Sequence, residues 1–451
     1  MRLTSTAQKG ICIFAAAALV ACASGGARAD RVADETLATG VALASFDSLW
    51  NIVRTTYVDT AFVSSRWVQV RDSLRPRAQR VIMRSELDRL LAETLKTIPD
   101  SHFYIIPASV APDDSVSAKT DGRGATGLAV RVVGDRAVAW RVEPGSPAAI
   151  AGLKPGHRIV RVGSKRPEVS LQRLRAMPEE AKPRAMSELL HSLNGALTPP
   201  AGDTVTVEIA DGKKRSTYRL TAIAAKGRVS RYGNLPPIAG LVRWSRIPIN
   251  DGKCAGTVAF NIWLPALVGD LENAVDSARS CAGMIVDLRG NPGGVGAMVM
   301  GFGGYFVDSV RSLGTMKMRQ LSLNFVINPQ RSRNDGSQMS PFTGSVAILV
   351  DPMTASTSEI FAAGMQRIGR ACVFGERSAG AALPALMNRL PSGDVFVHAV
   401  ADFTDPDGKR IEGTGAVPDQ EVPLSVKTLS EGRDGALDAA TKWIEGGNSA
   451  C

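Results

Sequence analysis

The sequence predicts an α/β protein built in three successive parts. Apolar residues recur at helical spacing in residues 30–118, short strands between Gly and Pro turns fill residues 125–225, and residues 235–427 alternate apolar strand-like runs with helical stretches. The last pattern is that of a mostly parallel sheet buried on both faces. The chain has 451 residues, enough for two or three domains, and its 44% hydrophobic and 21% charged content is ordinary for a globular protein. Its net charge is +10 and its pI about 9.5. The positive charges are scattered and are not interleaved with aromatic residues. They read as a surface property that favours anionic surfaces, and no nucleic-acid partner is expected.

The elements follow in order. Phe46, Leu49, Trp50 and Val53 mark a first helix. Leu87, Leu90, Leu91 and Leu95 mark another, with Ser85 as its expected cap. Pro99 ends it, and Phe103–Ile106 is a short strand. Residues 108–124, rich in Asp, Ser and Gly, read as a linker. "TGLAVRVV", "AVAWRV", "RIVRVG", "TVTVEIA" and "STYRLTAI" are the strands of the second part, with "SPAAIAGL" and "RAMSELLHSLNG" as helical patches. "GTVAFNIW", "GMIVDL", "SVAILVD" and "ACVFGE" are the core strands of the third. A polar loop is expected at residues 328–344, and a peripheral helix with a loose tail at residues 428–451.

Residues 1–29 read as a signal peptide. Arg2 and Lys9 precede the apolar run "ICIFAAAALVA", which is too short for a mature transmembrane helix. Two processing readings stay open. "LVAC" resembles a bacterial lipoprotein box, in which the signal ends at 21 and Cys22 is lipidated, with Ala23 pointing to the outer membrane. "ARA", Ala27–Ala29, offers plain cleavage and a periplasmic chain. Of the six cysteines, Cys254 and Cys281 each precede a predicted strand. If those strands are parallel neighbours the sulfurs can meet as a disulfide; two free thiols are the alternative. No Cys/His spacing suggests a metal, and no nucleotide or metal motif implies a cofactor.

"VEPGSPAAIAGLKPGHRIVRVGSK", residues 142–165, resembles the middle of a PDZ domain, with His157 where that family usually has Asp. The resemblance covers residues 125–225 and implies a module that takes extended peptides by strand addition.

"VDLRGNPGG", residues 286–294, is a strand running into a Gly-rich turn. "VDPMTASTSEIF", from residue 350, is a strand, a turn and a helix start. Ser356 and Glu359 form a capping-box pattern, which by itself needs only to start a helix. Together with the preceding PDZ-like part, these segments resemble the tail-specific, C-terminal-processing serine peptidases. That resemblance implies a crotonase-like α/β peptidase core with an inserted PDZ domain and an N-terminal helical domain. It also implies Ser356 as nucleophile, and an oxyanion hole from the N–H of Thr357 and one from the Gly293–Gly294 turn.

The base departs from the best-known branch, where a lysine follows the nucleophile's helix. Ala381 stands at that place, and no lysine occurs between Ser356 and Lys409. The tricorn-like branch resembles this chain better. "IPDSHF" supplies Ser101 and His102, and "GKRIEGTGAVPD" supplies Glu412. By resemblance His102 is the general base, while Ser101 and Glu412 orient its ring. His398 and, more weakly, Lys409 are rival bases. The implied function is an exported peptidase acting on peptides or unfolded protein. A PDZ-bearing binding protein on a degenerate peptidase core is the alternative, supported by the missing lysine.

Overall fold

The computed structural model describes residues 34–109, 123–212, 214–230, 237–447 and 451. The expected signal segment with Cys22, and most of the 108–124 linker, lie outside these residues. Among the described residues, no helix is long and apolar enough to cross a membrane.

The core is a six-stranded sheet. Its four expected strands are Cys254–Phe260, Gly283–Asp287, Ser345–Val350 and Cys372–Gly375, which lie side by side in sequence order and run parallel. Val242–Pro248 adds an antiparallel edge, and Gln420–Glu421 a parallel one. The strands are short apolar runs because both faces are covered. Ile285, Leu349 and Phe374 face the Gly435–Glu445 helix through its Ala440 and Ile444. That helix is therefore an integral layer of the core and not a peripheral element. Gly283 permits the close approach, since a Cβ there would lie 2.7 Å from an Ile444 methyl group. On the other face Met284, Val286, Ile348 and Val350 pack with residues of the Val268–Ser277 and Thr357–Arg367 helices. Cys254 and Cys281 are joined by a disulfide across two parallel neighbours.

The first part is helical, with helices at Val41–Thr56, Thr60–Ser64, Arg66–Ala78 and Arg84–Leu95. Ser85 sits inside the last of these rather than capping it, and its N–H and hydroxyl bond Asp34 instead. Tyr104–Ile106 then pairs antiparallel with Val395–Ala399 of the core. Apolar residues of the helices share one cluster with Leu383, Leu390 and Phe396. The segment carrying Ser101 and His102 is thus stitched to the core by both a strand and a packed layer.

The second part is a five-stranded antiparallel sheet in sequence order, from Leu128–Val133 to Lys214–Thr221. Its helices are Pro147–Ile150, Lys182–Ala196 and Pro167–Arg175, the last lying outside the expected patches. One buried ion pair ties this unit to the core. Arg131 Nε donates to Asp351 Oδ2 at 2.6 Å, with the guanidinium also over the Trp140 ring at 4.1 Å.

Replacing Phe396 with Ala removes the largest core-side ring beneath the helical layer. The expected cost is about 3–5 kcal/mol, read from urea unfolding. A loss under about 1 kcal/mol would mean that this layer is not held by the shared cluster.

Candidate active site

Adjacent parallel strands deliver their following loops to the same end of the sheet. Gly283–Asp287 leads into the 288–297 turn, and Ser345–Val350 leads into the loop before Ser356. Asn291 knits the two together. Its Nδ2 donates to the Phe260 carbonyl at 2.9 Å, and its own carbonyl accepts from Ala355 N–H at 3.1 Å. Asp351 does the same from the other side, its Oδ1 accepting from the N–H groups of Gly290 and Met353.

Ser356 ends the loop with φ at 56°, a left-handed value that costs a non-glycine residue strain. The Thr357–Arg367 helix starts immediately after it. Only half of the capping box is made. Ser356 N–H donates to Glu359 Oε2 at 3.0 Å and to the Ala381 carbonyl at 2.7 Å. The Glu359 N–H goes to the Ser356 carbonyl, and Ser356 Oγ, though buried, makes no hydrogen bond. The hydroxyl is not used to cap the helix.

The Gly-rich turn is held against this serine by Trp263. Its N–H donates to the Gly293 carbonyl, its carbonyl accepts from Val295, and its Nε1 reaches Ser358 Oγ at 2.9 Å. Gly293 must be glycine, since a Cβ there would come within 2.7 Å of Ser356 Cβ. Its N–H, however, donates to Asn291 Oδ1 at 3.0 Å. Gly293 therefore supplies room, and its N–H, unlike that of Gly294, is already engaged. The N–H groups of Gly294 and Thr357 enter no hydrogen bond among the described residues.

The upstream residues form one buried hydrogen-bonded run. Ser101 Oγ lies 2.6 Å from His102 Nδ1 and donates to Glu412 Oε2 at 3.0 Å. Ser101 N–H donates to Glu412 Oε1 at 2.8 Å, and Ala382 N–H to Glu412 Oε2 at 2.7 Å. His102 also has a positive φ, 62°. Of three non-glycine residues with this geometry among those described, two are His102 and Ser356. Asp100, just before the pair, is clamped by the Tyr57 hydroxyl at 2.8 Å and by Arg410 at 2.9 Å.

The 378–382 segment joins the two halves. Ser378 Oγ, Gly380 N–H and Ala381 N–H all donate to Glu359, and the next residue, Ala382, holds Glu412. Ala381 contributes its backbone where a lysine side chain was looked for. The rival bases are engaged or remote. His398 has both ring nitrogens occupied, by Thr56 at 3.2 Å and Asn388 at 2.7 Å, and burial pushes its pKa down to about 4. Lys409 is exposed, on a turn closed by Asp405. Trp263, Asn291 and Ser378 escaped the sequence reading, and Glu359 was seen there only as a cap. Their contacts are set by which loops meet, and nothing in their local sequence marks them.

A cleft of about 970 Å³ is lined by residues of the Arg84–Leu95 and Lys182–Ala196 helices and touches the site at Ala379, Gly380 and Glu412. Leu91, Leu95, Ile98, Met177 and Ala181 supply apolar lining.

A strained serine at a strand-to-helix turn, unused backbone donors and a buried Ser-His-Glu run are the kinds of group that acyl transfer needs. Residues 261–422 match the peptidase family S41 model and residues 43–96 the tricorn protease C1 domain, and with the relatives that follow they make the chain a serine-type peptidase. The carboxyl-terminal-processing protease of Synechocystis sp. is 26% identical over 412 residues, covering 88% of this chain and 86% of that protein. Two solved structures share the fold. The photosystem II D1 C-terminal processing protease matches at TM-score 0.56 and 19% identity, over 90% of this chain and 97% of its own. Mature CPAF matches at TM-score 0.61 and 13% identity, over 91% and 98%.

Burial pushes the Glu359 carboxyl up to about 7, despite its three hydrogen-bond donors from residues 378–381, and the nearby Glu412 carboxylate adds to the rise. The folded chain therefore keeps a proton between about pH 4.5 and 7 that the unfolded chain releases. Stability from this group is present below that window and is lost as pH rises through it. The unfolding free energy of wild type, relative to Glu359→Gln, is expected to fall between pH 4.5 and 7 and to stay level above. Urea titrations across pH read this. A level difference throughout would mean that Glu359 is ionised over the whole range.

Proposed function

We propose that the protein is an exported serine peptidase that cleaves peptide bonds through an acyl-enzyme on Ser356, with His102 as general base. The observation that carries this is the buried run of Ser101, His102 and Glu412, assembled from residues about 310 positions apart beside the strained serine. A buried polar cluster of this kind is costly unless every member is satisfied. It has no evident use in a passive binding module.

In the reaction His102 takes the Ser356 Oγ proton as Oγ attacks the substrate carbonyl, and later returns it to the leaving amine. Ser101, bonded to Nδ1, fixes which ring nitrogen faces the serine. The Glu412 carboxylate holds Ser101 and favours the charged ring. Ser356 Oγ makes no hydrogen bond here, so substrate binding must bring hydroxyl and imidazole together. The Gly294 and Thr357 N–H groups receive the oxyanion. Each such donor is worth about 3–4 kcal/mol in the transition state, helped by the helix N-terminus.

The apolar cleft takes an extended segment of peptide or unfolded protein. We assign the 125–225 unit as a PDZ domain that captures or gates this substrate. The Arg131–Asp351 pair supports gating, because Asp351 also fixes the turn before Ser356 and the Gly290 N–H. Export is favoured by the N-terminal signal pattern and by the Cys254–Cys281 disulfide. Lipidation at Cys22 belongs to this reading, and the mass of the mature N-terminal peptide tests it.

A fluorophosphonate probe is expected to label wild type and not Ser356→Ala. His102→Ala is expected to lower labelling and peptide cleavage by about 10²–10⁴-fold while the chain stays folded. An unlabelled wild type would sink the enzyme reading, and full activity in His102→Ala would hand the base role elsewhere.

Arg131→Ala leaves Asp351 buried without its cation. It is expected to lose about 3–5 kcal/mol of stability and to lower kcat more than it raises KM. Unchanged kcat in a folded variant would disconnect the 125–225 unit from the serine.

A further inference from the structure

Two cysteines take no part in the site or in the Cys254–Cys281 disulfide. Cys372 opens a central core strand and is fully buried, whereas Cys451 is exposed. Though 79 positions apart in the chain, they meet. Cys372 Sγ, Cys451 Sγ and an Asp419 carboxylate oxygen all lie within 4.8 Å of one another. Cys451 Sγ also sits 3.9 Å from the Ala371 carbonyl.

The position matters for what lies on either side. The Gly435–Glu445 helix is the layer that covers one face of the core sheet, and it leads toward Cys451. The Cys372–Gly375 strand leads the other way, into the 378–382 segment that holds Glu359 and Glu412. Phe374 of that strand already packs on Trp443 of the helix, ring centroids 5.9 Å apart. A covalent bond between Cys372 and Cys451 would tie the end of the covering layer to the strand beneath it.

Asp419 argues against reading the cluster as a metal site. One of its oxygens accepts the Val373 N–H at 2.8 Å, and its N–H donates to the Val373 carbonyl at 2.8 Å, so the residue is already used in aligning the strand. The chain also carries an oxidised cysteine pair elsewhere, so its thiols meet oxidising conditions.

We propose that Cys372 and Cys451 form a second disulfide, made by exchange with a small-molecule or protein disulfide, that fastens the covering helix to the core. Cys451, the accessible thiol, attacks the oxidant as thiolate and releases one oxidant thiol. Cys372 then displaces the second oxidant thiol from Cys451. The two cysteines lose two electrons and two protons, and the oxidant disulfide becomes two thiols. Closing a chain loop of this length restricts the unfolded ensemble and so stabilises the fold. The bond also protects a core strand from opening at its start, the end away from the active-site segment.

The full chain, equilibrated with glutathione disulfide and then alkylated without reductant, is digested and mapped by mass spectrometry. A Cys372–Cys451 cross-linked peptide with no alkylated thiol at either position is expected. In the same oxidised state, wild type is expected to melt at a higher temperature than Cys451→Ser, and the gap should close on reduction. Three results would overturn the proposal: alkylation of both thiols while Cys254–Cys281 stays bonded, a lasting glutathione adduct on Cys451, or equal melting of wild type and variant when oxidised. Thiol protection that requires added zinc and disappears with a chelator would replace the disulfide by a metal site.

Discussion

The Glu412 carboxylate is the point on which the arrangement of this molecule depends. It is buried, and burial raises its pKa by disfavouring the charge. Three donors oppose that penalty: the Ser101 N–H, the Ser101 hydroxyl and the Ala382 N–H. Two come from the segment after the N-terminal helices and one from the segment after a core strand. Satisfying one buried charge therefore sets the N-terminal part against the core, and His102 is carried with it. If any donor moved, the buried carboxylate would lose a bond that offsets its desolvation.

A second carboxyl does the parallel work for Ser356. Glu359 gathers Ser378, Gly380 and Ala381 on one side and the Ser356 N–H on the other. Because Ala381 and Ala382 are consecutive, the two glutamates hold adjacent residues of one strand-like segment. The placement of Ser356 relative to His102 is thus governed through backbone, with no side chain standing at the place of a lysine. The left-handed backbone at both Ser356 and His102 fits this account, since strain persists only where surroundings over-determine it.

The 125–225 unit meets the same machinery through Asp351. This residue accepts from Arg131, Gly290 and Met353 at once, and lies five positions before the serine. A movement of the five-stranded sheet that withdrew Arg131 would leave a buried anion unpaired next to the loop that aims Ser356. Such a loss costs several kcal/mol, enough to shift a two-state loop. The same unit supplies Met177 and Ala181 to the cleft, so cleft lining and this ion pair come from one part of the chain.

Much of this was legible in the chain itself. Periodicity located the helices at 41–56 and 84–95 and the four parallel strands, because those patterns report burial directly. Resemblance to a peptidase family pointed to Ser356, the 286–294 turn, Ser101, His102 and Glu412, and the sequence places Ala381 where that family's lysine would stand. The covering role of the Gly435–Glu445 helix was not legible, since its small apolar face resembles that of any surface helix until Gly283 is known to lie beneath it. Nor was the use of the Gly293 N–H on Asn291, the anchoring of Ser358 by Trp263, or the Arg131–Asp351 pair. Sequence alone determined which residue types were available and how each segment would fold. Only the tertiary structure decided which buried donor met which acceptor, because that choice depends on loops hundreds of residues apart arriving at the same end of one sheet.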